Sequence, residues 1–108
     1  MEDNVVELVT FNLKEGVTEQ QFLAASDKFQ ASFLSLQKGY IVRELSKNEN
    51  FWSDLVLWKT LDDAKNAMKD TEQLATTTPC PDFLNFLFYI DENSCDLKYL
   101  GFKKINSI

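Results

Sequence analysis

The chain contains no histidine. That removes the side chain best suited to acid–base work near neutral pH and the commonest nitrogen ligand for a metal. Glycine is scarce as well. Gly16, Gly39 and Gly101 stand alone, so no phosphate-cradling loop of the Walker or dinucleotide type can be assembled. Positive charge is in deficit: 11 Lys+Arg against 17 Asp+Glu leave a net charge of −6, which argues against nucleic acid or an anionic membrane as partner. No long apolar run exists. The longest, residues 83–90, is interrupted by Asn85 and is far too short to span a bilayer. The start, Met-Glu-Asp-Asn, is acidic where a secretory leader would be basic and then apolar. Cys80 and Cys95 are therefore expected to be reduced thiols of a cytoplasmic protein. The segment Asp91-Glu92-Asn93-Ser94-Cys95-Asp96 lacks the central glycine and distant glutamate of a calcium loop. No metal site is expected.

What is present is core material. Nine Phe, three Tyr and two Trp in 108 residues exclude a disordered chain and suit a single domain over residues 1–108. Residues 5–11 alternate Val5, Glu7, Val9, Phe11 against Val6, Leu8, Thr10. Both sets are mostly apolar, so this strand should be central and covered on both faces. Thr18-Glu19-Gln20-Gln21 has the form of a capping box. Phe22, Ala25, Phe29, Phe33 and Leu36 make one helical stripe behind it, closed by Gly39. Residues 40–45 and 51–59 read as a hairpin around a polar loop of about five residues. Thr60 caps a second helix with Asp62 and Asp63 in its first turn. The inward stripe of that helix is Ala64, Ala67, Met68, Thr71, Leu74 and Ala75. Pro79 and Pro81 break it. A short buried helix from Pro81, a turn at residues 91–93, a last strand over 95–103 and a loosely held tail complete the reading.

The order β-α-β-β-α-β predicts an α+β, ferredoxin-like fold: a four-stranded antiparallel sheet, order 4-1-3-2, with helices on one face. The other face would leave Val6, Leu8, Leu55 and Leu57 bare, and such a patch normally meets a partner.

Several polar or aromatic residues stand where a site could form. Glu7 sits mid-way along the central strand, and Asp54 on its expected neighbour. Buried carboxylates must be paired, solvated by a pocket, or raised in pKa. Either each meets a lysine, a tyrosine or a backbone donor, or the two form a catalytic pair that takes a proton from a substrate hydroxyl. Trp52 and Trp58 share the Asp54 face, as core or as a lining that stacks a flat substrate. Tyr40 joins them if it pairs with Val56. Arg43, the chain's one arginine, falls in that register on the opposite face with Ile41 and Leu45, where an ion pair with a second subunit is its expected role. Cys80 is read as a small buried apolar residue.

The chain resembles the antibiotic-biosynthesis-monooxygenase-like family over roughly residues 5–103. Four stretches carry the resemblance: Val5 to Phe11 running to Lys14-Glu15-Gly16; Gly39-Tyr40-Ile41; Trp52 to Trp58; and Leu61-Asp62-Asp63-Ala64 with Ala67-Met68 behind. It implies a homodimeric α/β barrel and a pocket in each subunit between the sheet and its own helices. It also implies chemistry without a cofactor, acting on a phenolic or quinone-like molecule. In the haem-degrading branch a Trp, an Asn and a His matter. Trp58 matches the first, Val9 occupies the second position, and no residue supplies the third, so no haem is expected. A non-catalytic dimer binding a small apolar ligand is the competing reading, as is a pocket closed by the chain's own phenylalanines. A pocket of roughly 300 Å³ separates the last from the others.

Overall fold

A computed structural model describes the backbone of residues 4–76 and 81–103, and the side chains of 4–69 and 82–103. Cys80 and the tail at 104–108 lie outside the described residues, as do the side chains of the stripe residues Thr71, Leu74 and Ala75. Four strands, β1 (Val5–Leu13), β2 (Tyr40–Asn48), β3 (Phe51–Trp58) and β4 (Ile90–Gly101), form one antiparallel sheet in the order β2-β3-β1-β4. Three helices, α1 (Glu19–Ser32), α2 (Leu61–Thr76) and α3 (Pro81–Phe88), complete the fold. The expected topology and sheet order are both present.

Alternation along β1 and β3 decides what is buried. Val5, Glu7, Phe11 and Leu13 of β1, with Trp52, Asp54, Val56 and Trp58 of β3, are buried beneath the helices. Their neighbours Val6, Leu8, Leu55 and Leu57 are partly exposed on the uncovered face. The core under α1 is an aromatic stack: Phe22 meets Phe11 edge-on at 5.5 Å and Trp52 edge-on at 4.9 Å, while Phe29 lies parallel to Phe86 at 5.0 Å.

The helix starts follow their capping residues. Thr18 Oγ1 accepts from Gln21 N at 3.1 Å, and Thr18 N donates to Gln21 Oε1 at 3.0 Å. Two orphan donors of the first turn are thereby satisfied. Thr60 Oγ1 does the same for Asp63 N at 3.1 Å. The first helix ends sooner than its stripe predicts. It stops at Ser32; Phe33 leaves helical geometry, and residues 34–36 form a single 3₁₀ turn. Leu36, expected on the buried stripe, is 73% exposed as a result. Serines at 32 and 35 are weak helix formers, and Gln37 Nε2 caps the freed Phe33 carbonyl at 3.2 Å. Gly39 then takes φ +84, directly against Asp63 of α2.

Three strand readings are corrected by register. The hairpin loop is two residues, Glu49 and Asn50, because β2 pairs on through Asn48↔Phe51. Tyr40 pairs with Trp58, not Val56, and an irregularity follows at Ile41, so that Val42 lies opposite Leu57 and Arg43 opposite Val56. One extra residue inverts every later side chain of β2. Arg43 therefore points under the helices, not to the uncovered face, and its ion pair lies within the subunit. The expected turn at residues 91–93 is part of a large bulge inside β4. Thr10 pairs with Asp96 while Asn12 pairs with Asp91. Ser94 Oγ holds the bulge closed, accepting from Asn12 N at 2.8 Å and donating to the Asp91 carbonyl at 2.6 Å. The helix beginning at Pro81 is present, but only one side is covered: Phe86 is buried while Leu84, Leu87 and Phe88 are exposed.

Candidate functional site

Between the sheet and the helices lies a cavity of about 310 Å³. Its sheet wall carries Glu7, Val9 and Phe11 of β1 and Asp54, Val56 and Trp58 of β3. The opposite wall is Phe29 and Phe33 from the end of α1, Ala67 and Met68 of α2, and Phe83 and Phe86 of α3. The competing reading, a pocket closed by the chain's own phenylalanines, does not hold: the aromatic rings stack along α1 and α3 and leave this end of the core open. Leu87, Leu97 and Cys95, also in the lining, are exposed, so the cavity reaches solvent between α3 and the bulged end of β4.

Glu7 is the distinctive group. It is 8% exposed on a sheet wall whose other residues, Asp54 apart, are apolar or aromatic. The indole Nε1 of Trp58, itself fully buried, donates to Glu7 Oε1 at 3.0 Å. Val5↔Trp58 and Glu7↔Val56 are successive pairs on this face, so strand register alone brings the two side chains together. Burial pushes the Glu7 carboxyl above the usual carboxylate range. The Trp58 hydrogen bond pulls it back, Asp54 raises it and Arg43 lowers it.

Asp54 lies diagonally across from Glu7 on the same face, since it pairs with Val9. The two carboxylates do not form an isolated pair. Arg43 holds Asp54 in a fork, Nε to Oδ1 at 2.9 Å and NH2 to Oδ2 at 2.7 Å. Its third nitrogen donates to Ser26 Oγ of α1 at 2.8 Å, and the guanidinium lies 5.4 Å over the Phe86 ring. The ion pair thus ties β2, β3, α1 and α3 together behind the cavity wall. Sequence alternation missed this role of Arg43, because the residue that turns it inward is the unpaired Ile41.

The two remaining predicted site residues stand apart from the cavity. Trp52 shares the expected face, yet it sits at the far end of β3, where Phe22 packs on its ring and Lys47 lies 5.7 Å above it. Tyr40 is also on the expected face and stands edge-on behind Trp58 at 6.1 Å, its hydroxyl accepting from Gln30 Nε2. It is a neighbour of the lining, not part of it. Cys95 was not singled out by sequence, and its place in the lining depends on the β4 bulge. Packing around its sulfur, then the Asp96 carboxylate, push the thiol up, away from nucleophilic use. Among the described residues no cluster of three or more His, Cys, Asp or Glu is placed to hold a metal ion, and no helix is long and apolar enough to cross a membrane.

This arrangement of sheet and helices has counterparts among solved structures. The structure aligns with a variant of SnoaB, a cofactor-independent oxygenase from Streptomyces nogalater, at a TM-score of 0.70 and 15% identity, over 95% of this chain and 96% of that one. The chain has the antibiotic biosynthesis monooxygenase fold. Proteins of that type from Caulobacter crescentus (TM-score 0.69, 13% identity, 95% and 92% covered) and Bordetella bronchiseptica (0.68, 14%, 97% and 100%) align equally fully. No family profile and no curated protein matches the chain by sequence.

Proposed function

We propose that the chain is a cofactor-independent oxygenase acting on a small aromatic or quinone-like molecule held in the cavity, with Glu7 as the base. The observation that carries this reading is a buried carboxylate on an apolar wall, oriented by an indole N–H. Burial raises its proton affinity, so it can take a proton from a phenolic hydroxyl without a histidine. The resulting anion is electron-rich. Dioxygen adds at an activated ring carbon that still bears hydrogen, giving a peroxide. Loss of water leaves one oxygen atom as a ring carbonyl and carries away the other. The apolar side chains around Glu7 favour the sequence by limiting the water that reaches the anion and the peroxide. Asp54, neutralised by Arg43, supports the wall and is assigned no proton transfer. Trp58 orients Glu7 and offers its ring to a flat substrate; Tyr40 buttresses it from outside the cavity, and Trp52 is assigned to the core under α1.

The functional unit in this proposal is a homodimer closed over the uncovered sheet face, where the apolar row of Val6, Leu8, Leu55 and Leu57 requires cover. Nucleic acid and membrane have no place in it.

The test is oxygen consumption with a panel of phenols and hydroquinones, with chelator present and no flavin or metal added. Turnover is expected. Glu7→Gln should lower kcat about 10²-fold or more while the circular dichroism spectrum stays unchanged. A Glu7→Gln variant with the full rate overturns the assignment. Saturable binding without turnover would favour the alternative, a ligand-binding dimer, for which the single proton acceptor of the cavity is sufficient.

A further inference from the structure

The cavity has a charge character of its own. Both ionisable side chains with a clear charge role in its lining, Glu7 and Asp54, are carboxylates, and no described lining residue is Lys or Arg. Arg43 stands just behind Asp54, but each of its three nitrogens is engaged, two on Asp54 and one on Ser26. Its side chain is 5% exposed. A ligand anion entering here would lose its hydration, find no free cation among the described lining residues, and face Glu7. A neutral hydroxyl can instead donate to the Glu7 carboxylate.

Size narrows the class further. A cavity of about 150 Å³ takes one benzene, and this one is about 310 Å³. The exposed rim at Leu87 and Leu97 is apolar, so a flat hydrocarbon edge can enter without displacing charge.

We infer that the cavity discriminates by charge, admitting a neutral hydroxylated ring compound and rejecting its carboxylate analogue, and that the Arg43–Asp54 ion pair, by engaging the described cation behind the wall, sets this selection. The inference rests on the cavity being the ligand site.

The experiment compares 1-naphthol with 1-naphthoate by calorimetric titration near neutral pH, where the first is neutral and the second ionised. The wild-type protein should bind 1-naphthol about tenfold tighter or more. Asp54→Asn keeps the shape of the side chain and removes its charge, which leaves the Arg43 charge uncompensated. It should raise naphthoate affinity about tenfold relative to that for naphthol. Glu7→Gln, which leaves the ion pair alone, should also narrow the preference, and it carries the test if Asp54→Asn does not fold. Equal binding of the two ligands by the wild-type protein overturns the selection while leaving the cavity as a ligand site. Binding of neither overturns both. An Asp54→Asn protein that is folded and gains no naphthoate affinity removes Arg43 from the account.

Discussion

Glu7 is costly to the fold, and the cost has a sign. Its folded-state pKa is raised, with burial as the main cause. The destabilisation is therefore absent below the pKa of the unfolded chain and fully present above the raised value. Glu7→Gln retains an acceptor for Trp58 Nε1 and removes the charge. The variant is expected to melt at a higher temperature than the wild type near neutral pH, with the difference disappearing as the pH falls through the ordinary carboxylate range. Thermal melts across that range check it. A variant less stable than the wild type at neutral pH would show that the charge holds the fold together. A gain in stability at the expense of activity is the usual mark of a functional group held in an unfavourable place. Asp54 differs: its charge is matched by a fork of two hydrogen bonds, and removing either partner would leave a buried ion uncompensated.

At the scale of elements, the junctions carry the precision. Gly16 and Gly39 both adopt left-handed geometry, φ +85 and +84, but in different surroundings. A Cβ at Gly16 meets nothing, whereas one at Gly39 would land inside the Asp63 carboxylate. Asp63 is itself buried in the first turn of α2. Gly16→Ala should cost about 1–2 kcal/mol, the left-handed penalty alone. Gly39→Ala should cost that and roughly 1–3 kcal/mol more for the displaced packing. Urea denaturation of the two variants checks the difference, and equal costs would mean that Asp63 yields freely. The close approach also explains how the 3₁₀ turn, β2 and α2 keep a common position behind Trp58: the Gly39 carbonyl accepts from Lys59 N at 2.8 Å, at the far end of β3.

At the scale of the whole molecule, the described residues put helices on one sheet face and none on the other. Val6 faces Leu57 and Leu8 faces Leu55 at its centre, while Val42, Phe51 and Leu100 are 51%, 56% and 48% exposed around them. A second copy can bury this face by isologous pairing, since the same apolar row is presented by both. The wild-type chain should sediment at twice 12.5 kDa, and Leu57→Asp should bring it to the monomer mass with loss of thermal stability. A folded wild-type monomer at micromolar concentration would overturn the dimer.

Local chemistry determined the elements. The capping box at Thr18 and Gln21, the cap at Thr60, the start at Pro81 and the two-residue alternation of β1 and β3 each act over a few neighbouring residues, so they were readable without partners. Strand count and order followed from the order of those elements, and the common face of Glu7, Asp54 and Trp58 followed from alternation. What alternation could not carry was the bulges. The extra residue at Ile41 and the looped-out stretch within β4 have no local signature, because a bulge is defined by the strand opposite. They decided that Arg43 neutralises Asp54, and that Cys95 and Leu97 border the cavity. The cavity itself was also a tertiary outcome. Phe22, Phe29, Phe33, Phe83, Phe86 and Phe88 could have filled the core, and whether they do depends on how the rings on and beside α1 and α3 stack. A void is the small difference between a large enclosed volume and the side chains that fill it, and only the packed structure sets that difference.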